Sequence, residues 1–558
     1  MNYRELTDQE IRQLEQQGCC SHDWSKITVS EGFTPLHIRN TYFDGAVRIG
    51  DNCRIINVGI IRTTPDATYG EANVISVLNE AGDGNIILYS GLTSQMAALM
   101  VRNSNDAKLW EKMLQMVRQE VDITRMPCTT IGNGVSITDT REITNCIIGD
   151  ECEITGAARL FECTLKSTPE ASILISDGVI CDNCIIQAGS SITDFAKLYD
   201  SFVGETCHVG RGFTSENSVF FANSHMDNGE SCAALCGPFS VSHHKSTLLI
   251  GGEYSFYNAG SGTNFSNHAY KMGPMHWGTL MRGSKTASGS HTLWPATTGT
   301  FSMLMGKIQS HPDTEKLPFS YIIAHDDATY CVPGRNLTTV GTYRDIEKWP
   351  KRDRRPRHGR LSLVQYDWLN PLVIQQVIEG KAELEQMRNA AGENAASYYY
   401  NGTIIRNQSL QKGIRFYDLA IRLAMLKALE EHEAALPDST VGTGQWVDLL
   451  GMLAPEAEVT TILDDIRNGN LTDINDVAVA LENIHNAYNE HKWAWAYRII
   501  LDYNNLDTLT EQDRQLLIQT LLPARQEWLN AIKYDAEREY ELGDVDADTL
   551  NSFIAKIK

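Results

Sequence analysis

Between Thr130 and Lys166 the chain reads TIGNGVSITDTREITNCIIGDECEITGAARLFECTLK. Its apolar residues return at every sixth place: Ile131, Ile137, Ile143, then Ile148, Ile154 and Leu160, with a single step of five between Ile143 and Ile148. The same step returns at Ile180, Ile186, Ile192 and Leu198, at Val203 and Val209, and earlier at Phe43, Ile49, Ile55 and Ile61. Six fits neither an α-helix, at about 3.6 residues per turn, nor a strand alternating at about 2. It fits a solenoid with three flat faces of about six residues each, in which one inward aliphatic per face stacks on its counterpart in the next coil. Gly, Asp, Asn, Ser and Thr lie between the aliphatics, and these residues make tight corners.

Helical spacing interrupts the repeat. Ser104 to Val121 places Leu109, Met113, Leu114 and Val117 on one helix face. Thr7-Asp8-Gln9-Glu10 has the form of a capping box, and Thr510-Glu511-Gln512-Asp513 of another helix start. Beyond Trp349 the six-residue step ends in a basic stretch, KWPKRDRRPRHGR, and helical apolar spacing follows. The expected organisation is an N-terminal helical segment over 1–38, coils over 39–348 with a helical insertion at about 104–121, a basic linker over 349–370, and an α-helical domain over 371–558.

Bulk properties narrow the function. Lys and Arg number 48 against 70 Asp and Glu, a net charge of −22, which disfavours nucleic acid and anionic membranes as partners. No apolar run is long enough to span a bilayer, and the first residues lack the apolar core of a signal peptide, so a cytoplasmic location is expected. The 13 cysteines then read as free thiols, small soft residues filling repeated interior positions. Cys181 and Cys184 form a C-D-N-C pair, but Cys232 and Cys236 are a poor second pair, so no metal site is predicted.

Eight of the 15 histidines fall between His208 and His311, where the repeat is looser. Within this span SHHKSTLLIGGEYSFYNAGSGTNFSN, Ser242 to Asn267, places adjacent histidines ahead of a glycine-rich turn. A histidine suits proton transfer near neutral pH, and glycine-exposed backbone N–H groups suit an oxyanion. On a strand, His243 and His244 would face opposite ways.

The segments IGNGVSI, IGDECEI and VGETCHV resemble the hexapeptide repeats of left-handed parallel β-helix proteins, and the fold expected is mainly β, such a solenoid with a C-terminal helical domain. The stretch Ser242 to Asn267 is similar to the acetyltransferase half of bifunctional N-acetylglucosamine-1-phosphate uridylyltransferases, whose GAGT turn appears here as GSGT, Gly260 to Thr263. The resemblance implies His244 as general base, and Asn258, Asn267, His243 and His268 as substrate-binding residues. It also implies Lys271, Lys285, Gly260, Gly262 and Ser288 toward the acyl carrier. By the same resemblance acetyl-CoA or another acyl-CoA is a cosubstrate, no cofactor is tightly bound, and the assembly is a homotrimer acting on a small-molecule substrate. The pattern departs where the family has a sugar-phosphate-binding Arg and Lys, here Thr214 and Cys232, and a tyrosine, here Thr247. The acceptor implied is therefore sugar-related or otherwise small, but not glucosamine 1-phosphate. The nucleotidyl-binding loop of that family is missing, which argues against pyrophosphorylase activity. The whole chain also resembles an uncharacterised Bacteroidetes family sometimes labelled as related to these pyrophosphorylases.

Two other classes remain open. One is a non-catalytic trimeric scaffold. The other is a zinc enzyme like the gamma-class carbonic anhydrases, which need an H-x4-H pair that this chain lacks. The run Lys351, Arg352, Arg354, Arg355, Arg357 and Arg360 reads as a phosphate clamp or as a linker paired with acidic groups of the same chain.

Overall fold

The computed structural model describes residues 2–80, 82–266, 276–543 and 546–557. Contacts divide it into two units. The first is Met1–Gly278 with Arg354–Leu363 and Asp465–Ala478, and the second is Thr279–Asp353 with Val364–Asp464 and Val479–Lys558.

The first unit is a parallel β-helix of the left-handed kind. Its short strands stack parallel and in register, and three inward columns can be followed from coil to coil. One runs Ile55, Ile137, Ile154, Ile175, Ile192, Val209, Met226. A second runs Ile61, Ile143, Leu160, Cys181, Leu198. The third runs Ile49, Ile131, Ile148, Leu165, Ile186, Val203, Phe220. Every one of these side chains is buried. Together they are the apolar surface that drives the coil shut.

The columns refine the reading of the repeat. The step of five is not a single exception: it recurs between Leu160 and Leu165, Cys181 and Ile186, and Leu198 and Val203. In these coils one face is a residue shorter than the others. Ile180 consequently sits outside the inward column and is half-buried, while Cys181 fills the position. The short face carries a left-handed backbone residue in successive coils: Asn145 (φ 54°), Glu162 (52°), Asn183 (53°), Asp200 (45°) and Asn217 (47°). Asn and Asp tolerate this conformation, which explains their abundance there.

Cysteines serve as interior filling, as expected. Cys146, Cys163 and Cys184 stack on one another. Their thiols donate to the backbone carbonyls of Thr144, Phe161 and Asp182 at 3.2–3.3 Å. All 13 cysteines are free.

The segment before Arg39 holds the helix Asp8–Gln16, closed by the expected Thr7–Glu10 capping box. It also holds the strand Ile27–Ser30, which pairs parallel with Val47–Ile49. The inserted helix is Ala107–Thr124, preceded by a second helix, Ser94–Arg102, and a hairpin of Val74–Asn79 with Asp83–Ile87. Helix Ser94–Arg102 is buried all round, so it lacks the polar stripe that would have revealed it. Arg355, from the basic run, is only 4% exposed and pairs with Glu205 of the coils at 3.3 Å, which supports the linker alternative for this residue.

The second unit begins with further parallel pairs, among them Lys285–Thr286 with Met303–Met305, and Met303–Met305 with Tyr321–His325. Helices then dominate: Pro371–Ala391, Asn407–Glu431, Tyr488–Asn504 and the long Glu511–Leu542, capped by the expected Thr510–Asp513 box. Two hairpins interrupt them. Asp367 is the buried ionic centre of this unit, 2.7 Å from both Lys427 and Lys492 and accepting from Tyr488 at 3.0 Å. Among the described residues no helix is long and apolar enough to cross a membrane.

Replacing Leu160 by Ala removes one member of an inward column and is expected to cost about 2–5 kcal/mol, read as a lower urea midpoint of the first unit. Asp367 gives a pH signature. Burial alone would raise its carboxyl, but Lys492 and Lys427 override that and hold it well below the usual range. A depressed folded value means its stabilisation is present above the unfolded value of about 4 and is lost as pH falls toward the folded one. Asp367→Asn should flatten that acid limb and destabilise the second unit by about 3 kcal/mol at neutral pH, both visible in thermal melts against pH.

Candidate functional site

The strands His208–Gly210 and His225–Asp227 lie parallel on successive coils, pairing His208 with His225, Val209 with Met226 and Gly210 with Asp227. Val209 and Met226 point into the coil, so the residues on either side of each must point out. One outward column therefore runs Ser191, His208, His225, Val241. Beside it lie Gly210 and Asp227, and His243 comes one position beyond the Met226–Ser242 pair.

These side chains converge. Ser191 Oγ lies 2.7 Å from His208 Nδ1. His225 Nε2 lies 3.0 Å from Asp227 Oδ2, and His208 Nε2 lies 3.2 Å from Asp227 Oδ1. The imidazoles continue as a row, with centroids 4.6 Å apart for His208 and His225, 6.0 Å for His225 and His243, and 4.2 Å for His243 and His244. Burial, then the neighbouring His225, lowers the pKa of His208 against the pull of Asp227. Burial, then His244 and His225, lowers that of His243. Both shifts favour the neutral ring, the form that accepts a proton or a metal ion.

The histidine pair departs from the expected alternation. The strand Val241–Ser242 ends just before it, the chain bends, and both rings come to one side, His243 half-buried and His244 exposed. The next coil brings the glycine turn alongside. Asn258 bridges Val241, the Ala259 N–H donates to the Val241 carbonyl at 2.8 Å, and the Gly262 N–H donates to the Lys245 carbonyl at 3.2 Å. Gly262 sits at φ 70°, and the Thr263 hydroxyl closes the turn on the Gly260 carbonyl at 2.7 Å. His243, His244, Asn258, Gly260 and Gly262 thus occupy neighbouring corners of two successive coils.

Asn267, His268 and Lys271 lie outside the described residues. Lys285 and Ser288 belong to the second unit. The Lys285 ammonium is held by Asp345, so it is an internal ion-pair partner instead of an open phosphate contact. Ser288 is exposed at a turn beside Gly289.

His208, His225 and Asp227 were not singled out by sequence reasoning as a set. The signal was present: His208 and His225 are separated by the coil repeat, and Asp227 follows two places later on the same face. Their donor atoms all lie within 4.8 Å of one another. The expectation of no metal site considered only Cys pairs and H-x4-H within one turn, and not donors brought together from successive coils.

This is a parallel β-helix protein with an outward row of imidazoles anchored on a buried carboxylate. The chain belongs to the family defined by a domain of unknown function, DUF4954, which matches residues 3–52 and 46–388. A second domain of unknown function, DUF6819, matches residues 429–545. An uncharacterized protein from Treponema pallidum (strain Nichols) is 22% identical over 602 aligned positions, covering 89% of this chain and 82% of that protein. A solved structure from Desulfovibrio desulfuricans G20, provisionally described as an acetyltransferase, aligns at 9% identity over 54% of this chain and 72% of its own, with a TM-score of 0.11.

Proposed function

We propose that the histidine pair and the glycine turn form the active site of an acyl-CoA-dependent transferase, with an acetyl group as the simplest donor and a sugar-related or other small molecule as acceptor. One observation carries the reading: the His243–His244 corner and the Gly260–Gly262 corner are hydrogen-bonded neighbours on successive coils, joined through Lys245 and Gly262. A base and an exposed glycine turn therefore share one patch.

In this reading His244 takes the proton from the acceptor hydroxyl or amine as that atom attacks the thioester carbonyl. The new C–O or C–N bond forms, the tetrahedral oxyanion is held at the exposed Ser261 of the turn, and the C–S bond then breaks. The departing coenzyme A thiolate takes the proton from His244. The ring of His243, 4.2 Å away and partly buried, limits the positions open to His244. Asn258, half-buried on the adjoining coil, orients the acceptor. A homotrimer would add a second wall to the cleft.

The engagement of Lys285 by Asp345 favours a second reading, a scaffold that binds no acyl carrier. Release of coenzyme A thiol from acetyl-CoA, measured with a pool of amino sugars and small alcohols, separates the two. His244→Ala should lower turnover by roughly 10²–10⁴-fold while the thermal midpoint stays in place. Unchanged turnover in that variant would remove His244 from the chemistry. If acetyl-CoA neither stabilises the native chain nor is consumed, the scaffold reading replaces the transferase.

A further inference from the structure

We propose that His208, His225 and Asp227 form a binding site for one divalent first-row transition ion, of the zinc class, on the outward face of the first unit. The inference does not depend on the acyl-transfer reading. It rests on four features of the same few residues.

The first is separation. Two imidazole nitrogens about 2.0–2.1 Å from a tetrahedral ion stand roughly 3.3 Å apart from each other and from a carboxylate oxygen. Here His225 Nε2 is 3.0 Å from Asp227 Oδ2 and His208 Nε2 is 3.2 Å from Asp227 Oδ1, so small ring movements admit an ion.

The second is an unmet need. Asp227 is 3% exposed, and its Oδ1 is met by His208 Nε2 at 3.2 Å, an approach that falls short of a well-formed hydrogen bond. A buried carboxylate oxygen so weakly met is costly, and a coordinated cation would satisfy it.

The third is room. Gly210 stands opposite Asp227 on the preceding coil. A Cβ there would lie 2.8 Å from His208 Nε2 and 3.0 Å from Asp227 Oδ1, so the missing side chain leaves open the space between the donor atoms. The Gly210 backbone is not in a left-handed conformation, so its φ does not by itself demand glycine.

The fourth is orientation. Ser191 Oγ lies 2.7 Å from His208 Nδ1 and can accept its proton, and in that tautomer the Nε2 lone pair faces Asp227, as outer partners of metal-bound histidines arrange.

Nitrogen donors argue against calcium and magnesium, which prefer all-oxygen sites, and two imidazoles with one carboxylate suit zinc and its neighbours. Three protein donors leave a fourth position open to water or to a substrate oxygen, as at a reactive ion and unlike a closed structural one. Arg211 is the competing cation. Its Nε lies 3.6 Å from Asp227 Oδ2, but its side chain is 66% exposed, and so weak a surface pair yields to a coordinating ion.

The test uses the full chain, stripped with a chelator and titrated with zinc chloride against a chromophoric competitor, and separately with cobalt chloride for its visible spectrum. The expected result is one equivalent of tight zinc per chain and an intense cobalt band of low coordination number. Gly210→Ala fills the space while keeping every donor, and should weaken zinc at least tenfold. His225→Ala, which removes a half-exposed ring, should weaken it at least a hundredfold, and Ser191→Ala about tenfold. The exposed His37→Ala should leave the affinity unchanged. Melts without metal check that each variant is folded. If Gly210→Ala and His225→Ala, either one of them folded, bind zinc as tightly as the native chain, the site is elsewhere and the proposal fails. It also fails if the native chain takes up no zinc. Neither readout involves acyl transfer, so loss of one proposal leaves the other standing.

Discussion

The register between coils is the constraint on which the first unit depends. Ile137 must lie on Ile154, Ile143 on Leu160 and Ile148 on Leu165, because each aliphatic column is continuous only when every coil has the same length to within a few residues. Burial of these columns supplies the apolar driving force, and parallel backbone pairing satisfies the peptide groups. The arrangement tolerates changes only at corners. The chain can leave after Arg62 and return at Thr129 with two helices between, because the pairing of Ile49 with Ile131 resumes the column as though nothing had intervened.

The same register acts on the outward side. Whatever residue types recur at the coil spacing are brought into contact, whether or not contact is favourable. Asparagine and aspartate recur at the left-handed corners, where their conformational tolerance is used. Cysteines recur inside, where a small polarizable side chain fits between larger aliphatics. Histidines recur outside, and their edge-on approach beside Asp227 concentrates titratable groups in a way that a single strand cannot. A solenoid thus makes a site from one position in each of several coils, with little adjustment of the backbone.

Legibility followed this logic unevenly. Columns built from Ile, Leu and Val could be read directly, since the period is visible in one dimension. Cys181 was passed over for Ile180, because hydrophobicity alone does not say which of two neighbours faces inward when one face is shorter. Helix Ala107–Thr124 shows a polar and an apolar stripe and was visible, whereas Ser94–Arg102 is buried on all sides and was not. The corner of His243 and His244 was found from its glycine turn, but the two rings share a side because the strand stops at Ser242. The basic run allowed pairing with acidic groups of the same chain but did not single out Arg355 or Glu205, since a charge buried by an ion pair looks the same in sequence as one in water.

The amino-acid sequence by itself determined the solenoid, the inward columns, the interior role of the cysteines and the helix starts at Thr7 and Thr510, because each rests on periodic burial or on contacts a few residues apart. Only the tertiary structure decided which polar residues meet. The grouping of His208, His225 and Asp227, the space left by Gly210 and the capture of Lys285 by Asp345 depend on coil length and on partners distant in the chain. Side-chain chemistry is local, but the distance between two side chains on different coils is set by every residue that the intervening turn contains.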